Sequence, residues 1–282
     1  DLYVYLSNGK YGLMDYEGHI VVEPKFDKVT IHTYTAPEEG ASVNTHIIET
    51  NAHLIIIDTQ MLLPYANEVK TFIDKLNKPI DKVIISHSHP DHWFGTSVFK
   101  GEKIYAIKEV LKEIQETSSE TIERNRKIMG DLIPNQDSAV IPSLILEEGD
   151  FEIDNVTIRV SKVADTESSY ITTLELVEQN VIIAQDIVYN NVHLFIAQQE
   201  LENWSRVLES LNSRNWNLVL PGHGLPTNNE VLTRMINYLS LAHETLNKVD
   251  TFNQYKNIIM TNFPEYKGEV LIDLNEQFLG LK

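Results

Sequence analysis

Three histidines and an aspartate occupy a six-residue window, His87 to His92, inside the stretch Ser86-His-Ser-His-Pro-Asp-His-Trp-Phe-Gly95. Imidazole and carboxylate are the ligands that zinc and similar divalent ions take. In an extended segment the alternate residues His87, His89 and Asp91 share a side, while Asp91 and His92 point apart. A short loop of this composition can therefore hand two residues to one ion and two to a neighbour. The chain has ten histidines in all, and a merely solvated loop would not need three of them so close together.

The surrounding elements suit that chemistry. Asp81-Lys-Val-Ile-Ile-Ser86 has the apolar, β-branched run of a buried strand. Its ligand-type residues then follow at the strand's C-terminal end, where α/β folds place their sites. Two later strands end in the same way. Val181-Ile-Ile-Ala-Gln-Asp186 closes on a carboxylate, whose plainer reading is a helix N-cap. Trp216-Asn-Leu-Val-Leu220 runs into Pro221-Gly-His-Gly224, where flanking glycines let a backbone come close to a metal. Upstream, His53-Leu-Ile-Ile-Ile-Asp58 also ends in a carboxylate.

H-x-H-x-D-H after an apolar strand, followed in order by Asp186 and Gly-His-Gly, resembles the metallo-β-lactamase fold superfamily of metal-dependent hydrolases. The resemblance runs from about Val29 to the C-terminus. It implies an α/β (α+β) chain folded as an αββα sandwich, with a hydrolase domain over residues 29–282. It also implies two divalent ions, zinc first, with manganese or iron as alternatives. The first would take His87, His89 and Asp165, the second Asp91, His92 and His223, and Asp186 would bridge them. Asp58 would support the metal loop from behind. The chain departs from the pattern in Ala164-Asp-Thr-Glu-Ser-Ser169, where many members read G-H-T-x-G-S. Aligning Thr166 on that threonine puts Asp165 where the histidine would be, with Glu167 as the competing ligand. Gln185 stands where the family has Gly. Either acidic ligand gives the centre three carboxylates, which with one hydroxide balance two divalent ions. Acidic ligation also favours harder ions.

By the same resemblance, a hydroxide shared by the two ions would cleave an ester, lactone, thioester, amide or sulfate ester of a small molecule. Asp91 would orient the hydroxide, and Tyr189, His193 and Trp93 would face substrate. Two other readings stay open. One is a mononuclear iron oxidoreductase of the same fold, as in persulfide dioxygenases. The other is a degenerate scaffold that binds partners.

Composition narrows the partners. A formal charge of −18 argues against nucleic acid and anionic membranes, which need basic patches, and so weakens the RNA-processing branch of the superfamily. With no cysteine, disulfides, thiolate ligands and cysteine nucleophiles are excluded. No apolar run reaches membrane-spanning length and no leader pattern is visible, which suits a soluble protein of cytoplasm or periplasm alike.

Residues 1–28 lie outside the hydrolase pattern. Tyr3-Val-Tyr-Leu, Tyr11-Gly-Leu-Met and His19-Ile-Val-Val alternate with the turn signals Asn8-Gly9 and Glu17-Gly18, predicting a small antiparallel meander. The segment resembles one WG repeat, with Tyr11-Gly12 at the Trp-Gly position, and implies either a cover for the domain or a protein-partner site. Further on, spacing predicts helices over Tyr65–Leu76, with Val69, Phe72, Ile73 and Leu76 on one face, over Glu202–Leu211, over 229–250 and near 252–262. A helical stretch over 106–130 is expected to break at Thr117-Ser-Ser119. His46 and His53 read as ordinary strand and turn residues.

Overall fold

The computed structural model describes residues 2–7, 10–15, 20–26 and 29–281, the first three stretches as backbone alone. Those three are strands β1 (Leu2–Ser7), β2 (Lys10–Asp15) and β3 (Ile20–Phe26), paired in the order β1-β2-β3 as an antiparallel meander. The turn signals at 8–9 and 17–18 lie outside the described residues.

Two mixed sheets follow. The first has six strands in sequential order: β4 (Thr30–Thr35), β5 (Asn44–Glu49), β6 (Leu54–Ile57), β7 (Ile80–Ile84), β8 (Ile104–Ala106) and β9 (Leu144–Ile145). Its first three strands pair antiparallel, and β6 to β9 run parallel. The second has five: β10 (Gly149–Ile153), β11 (Val156–Ala164), β12 (Tyr170–Leu176), β13 (Val181–Tyr189) and β14 (Leu218–His223). Only its last pair, β13 with β14, is parallel.

The helices are α1 (Leu63–Leu76), the single turn α2 (Pro90–Trp93), α3 (Lys108–Met129), α4 (Leu201–Asn212), α5 (Glu230–Leu246), α6 (Phe252–Asn262) and α7 (Glu269–Leu274). Strand β13 shows why the molecule is layered. All nine of its residues are buried, and successive side chains point to opposite faces. Val181 and Ile183 enter a core shared with the six-stranded sheet, α1 and α3. Ile182 and Ala184 enter a second core under α4, α5, α6 and α7. Each fully buried Ile or Leu in these cores contributes about 1.5–3 kcal/mol. The order helix, sheet, sheet, helix is the sandwich expected from the sequence. Among the described residues no helix is long and apolar enough to cross a membrane.

Two helix expectations need correction. Helix α3 runs unbroken for 22 residues through Thr117-Ser-Ser119. Thr117 does not cap; its hydroxyl donates to the Glu113 carbonyl one turn back at 2.8 Å, a local bond open to threonine inside a helix. Phe72 is 39% exposed rather than on the buried face of α1, and its ring meets His32 edge-on.

The sheets converge at one edge. Asn44 donates to the carbonyls of Pro221 and Gly224 at 2.8 and 2.6 Å, and His46 Nε2 lies 2.9 Å from the Pro221 oxygen. The Thr172 amide donates to the Ser86 carbonyl at 2.8 Å. These bonds join β5 to the end of β14 and β12 to the end of β7.

Candidate metal centre

Strand β7 delivers His87 and His89 into the gap between the sheets. Helix α2 opens on Pro90, whose fixed φ suits a first helical turn, and turns Asp91 and His92 toward the same place. From the other sheet come Glu167, in the loop between β11 and β12, Asp186 on β13 and His223 at the end of β14. Two groups that share Asp186 result, His87, His89, Glu167 and Asp186, and Asp91, His92, Asp186 and His223, with a third, Asp58, His87 and His92, behind them; in each the ligand atoms lie within 4.8 Å of one another.

Outer partners fix which nitrogen each imidazole presents. His223 Nδ1 lies 2.7 Å from the Ala41 carbonyl, which only accepts. His92 Nδ1 donates to Asp58 Oδ2 at 2.7 Å. The Ser86 hydroxyl also donates to Asp58 Oδ2, at 2.6 Å, which leaves its oxygen to accept from His87 Nδ1 at 2.9 Å. All three rings therefore turn Nε2 inward, and such second-row bonding is how proteins orient metal-bound histidines. His92 Nε2 and Asp186 Oδ1 are 3.3 Å apart, as are His92 Nε2 and Asp91 Oδ2. His223 Nε2 sits 3.2 Å from Asp186 Oδ2, and His89 Nδ1 3.0 Å from Glu167 Oε1.

The residues fit divalent cations. His87 Nε2, His92 Nε2, Glu167 Oε2 and Asp186 Oδ1 are buried without a hydrogen-bond partner, a costly state for polar atoms unless something satisfies them. The backbone makes room for Asp186: a Cβ on Gly222 would fall 1.7 Å from its Oδ1. Gly224, at φ +83°, lets the chain turn away directly after His223.

Electrostatics bind the cluster together. Burial opposes charge on His89 and His223, yet the neighbouring carboxylates, Glu167 for the first and Asp186 for the second, push them up to about 9 and about 10. Burial likewise opposes ionised Asp91 and Asp186, but the imidazoles around them, His92 foremost, hold both well below the usual carboxylate range. For His87 burial wins, with the His92 charge adding to it, and its pKa falls.

The structure does not bring Asp165 into either group. Asp165 is exposed, at φ +53°, with its carbonyl held by Asn203 Nδ2 at 2.7 Å. That left-handed turn carries the chain outward at 165 and back at 167, so Glu167, 1% exposed, takes the inward place. Tyr189 and Trp93 are near the centre but behind it. Tyr189 donates to Asp186 Oδ2 at 2.8 Å and stacks on His223, with ring centroids 4.6 Å apart. Burial, followed by the Asp186 charge, keeps its phenol protonated. Trp93 is 1% exposed and donates to the Ser88 carbonyl at 3.0 Å, bracing the loop. His193 lies elsewhere, in the second core, with Nδ1 3.1 Å from the Tyr238 hydroxyl and Tyr266 close by. His46 and His53 join neither group; His53 pairs with Asp154.

Three contributors had no role assigned from the sequence. Ser86 precedes the motif directly and links His87 to Asp58. Gln185, at φ +47°, donates to Asp58 Oδ2, so the residue standing in the family's Gly position adds a bond between the sheets. Phe195 sets its ring edge-on to His89, with centroids 5.5 Å apart.

The profile of the metallo-beta-lactamase superfamily matches residues 39–223, which span both groups. The chain belongs to the metallo-beta-lactamase superfamily. A comparison with proteins of curated function gives no significant match. Similar solved structures include a metallo-beta-lactamase from Pontibacter korlensis, at TM-score 0.60 and 17% identity, covering 85% of this chain and 99% of that one. A beta-lactamase domain protein from Burkholderia ambifaria aligns at TM-score 0.63 and 17% identity, covering 88% and 86%. A metallo-beta-lactamase family protein from Thermus thermophilus aligns at 0.62 and 16%, covering 87% and 91%. At these identities the likeness is one of fold.

Proposed function

We propose that this superfamily member is a hydrolase that holds two divalent ions and cleaves an ester, lactone, thioester, amide or sulfate ester of a small molecule. The observation that carries the reading is the position of Asp186 in both ligand groups, as a carboxylate that bridges two ions requires. Bound there, two ions would supply an acidified water and polarise the substrate oxygen.

The protein's own residues divide the remaining work. Glu167 completes the first group in the role expected of Asp165. Tyr189 and Asp58 hold Asp186 and His92 in place. Solvent reaches the centre over His89 and Asp91, whose side chains are 24% and 16% exposed, while His87, His92, Asp186 and His223 are at 0–1%. Substrate therefore approaches on the His89–Asp91 side, and Asp91 is placed to orient the attacking water.

The acidic chain supports a small-molecule substrate and not a nucleic acid or an anionic membrane. Zinc suits the histidines, and the third carboxylate also admits manganese or iron. The mononuclear oxidoreductase reading is disfavoured by the full second group. Both groups draw only on residues between His87 and His223, and the likeness of residues 1–28 to one WG repeat supports a separate covering or partner-binding segment.

Elemental analysis after metal-supplemented growth tests the reading. Close to two ions per chain are expected, and Asp186→Ala should lose most of both. A wild-type content of one or less, with no hydrolysis across a screen of esters, lactones and β-lactams, would sink it.

A further inference from the structure

The aromatic contact on His89 continues away from the centre. Phe195 touches His89, and Phe278 meets Phe195 edge-on with centroids 5.6 Å apart. Phe195 is half-buried and Phe278 is 46% exposed. A lone exposed phenylalanine needs no explanation. Here, however, two rings in series lead from one of the two solvent-reached residues of the centre out to the surface.

Their positions are fixed. Leu194 and Ile196, on either side of Phe195, are buried. Asn275, itself fully buried, accepts from the Ile196 amide at 2.7 Å and donates to the Leu194 carbonyl at 3.0 Å. It also donates to the Leu271 carbonyl at 3.0 Å, tying the loop to α7. Gln199 donates to the Phe278 carbonyl at 3.0 Å. The loop after β13 and the segment after α7 are thereby locked together with both rings presented. Phe278 and Asn275 lie beyond the part of the chain that matches the superfamily profile, which ends at 223. The outer ring of this wall thus comes from the C-terminal region.

We propose that Phe195 and Phe278 form an apolar shelf that takes the acyl chain or aromatic group of a substrate whose scissile bond lies at the centre. The assignment rests on the metal-site reading above. An apolar tail gains by leaving water on such a shelf.

Calorimetry on the metal-loaded protein tests this with two hydroxamates that share a chelating head, acetohydroxamate and octanohydroxamate. Wild type should bind the longer one more tightly by on the order of tenfold or more. The ratio of the two affinities should collapse toward unity in Phe278→Ala and in Phe195→Ala. It should be largely retained in Phe278→Leu, which keeps an apolar side chain. Phe278 is exposed enough that its variants should fold, and elemental analysis of each variant confirms an intact centre. A wild-type ratio near unity overturns the shelf, as does a ratio unchanged by both alanine variants or a failure of either hydroxamate to bind. Ester hydrolysis is scored separately. Chain-length-dependent binding without any turnover would leave the shelf standing and remove the hydrolase reading; turnover with no chain-length dependence would do the reverse.

Discussion

The two sheets supply the centre in contrasting ways. The six-stranded sheet gives His87, His89, Asp91 and His92 from one loop and one helical turn, so their relative placement is decided locally. The five-stranded sheet gives Glu167, Asp186 and His223 from three separate chain segments, brought together only when β11 to β14 pair. A compact motif carries its geometry in its spacing. A dispersed set depends on strand register and on the path of each connecting loop, so a single left-handed residue such as Asp165 can change which side chain arrives.

The sharpest break of that contrast lies in the loop between β11 and β12. Glu167→Ala removes a direct member of the first group. Its metal affinity there should fall by more than the ~10–100-fold that losing an outer partner costs. Asp165→Ala should leave both affinities within about twofold, because an exposed side chain outside the groups contributes little. Chelator competition on the two variants measures this. The reverse result would restore Asp165 and mean that the loop takes another path once loaded.

Next in size is the support behind the compact motif. Asp58→Asn keeps the shape but replaces the acceptor of His92 and Ser86. Affinity in the second group should weaken by about 10–100-fold, read in the same competition, while the first group suffers less. An effect confined to the first group would contradict the bonding described.

His46 tests the seam between the sheets. Burial, opposed by its bond to the Pro221 carbonyl, lowers its pKa from the ordinary 6.5 to about 4. Below about 6.5 the unfolded chain takes up a proton that the folded chain refuses until about 4. This residue's contribution is therefore fully present above pH 6.5 and is lost as pH falls toward 4. Between pH 7 and pH 5 the loss should be about 2 kcal/mol. His46→Gln should remove that part of the slope in urea unfolding of the metal-loaded protein. Equal slopes in the two proteins would mean that the imidazole is not held neutral.

The smallest effect is expected from deleting residues 1–28. Every member of both groups lies between His87 and His223, so metal content should not change. Loss of both ions from a truncated but folded protein, judged by circular dichroism, would show that the meander supports the centre.

Much of this arrangement was legible in the chain. The H-x-H-x-D-H run, Asp58, Asp186 and the glycine-flanked His223 were readable because each follows an apolar run that fixes where it emerges, although β13 continues past Asp186 to Tyr189. Glu167 could be set beside Asp165 as a rival but not chosen, because the choice depends on a φ angle at 165. Tyr189 ends β13 and His193 follows it closely, and spacing alone could not separate the ring that stacks on His223 from the one that enters the second core. The Thr117-Ser-Ser119 run predicts a break in α3 because Thr and Ser favour caps, yet their hydroxyls can also be satisfied from within a helix. The aromatic shelf depends on a contact between residues 195 and 278, which no local pattern reports.

Asp58 has a consequence for descent. One buried carboxylate accepts from Ser86, His92 and Gln185, residues on two sheets and three segments. A lineage that exchanged Asp58 for an apolar residue would strand all three donors in one step. These four positions should therefore be inherited as a set.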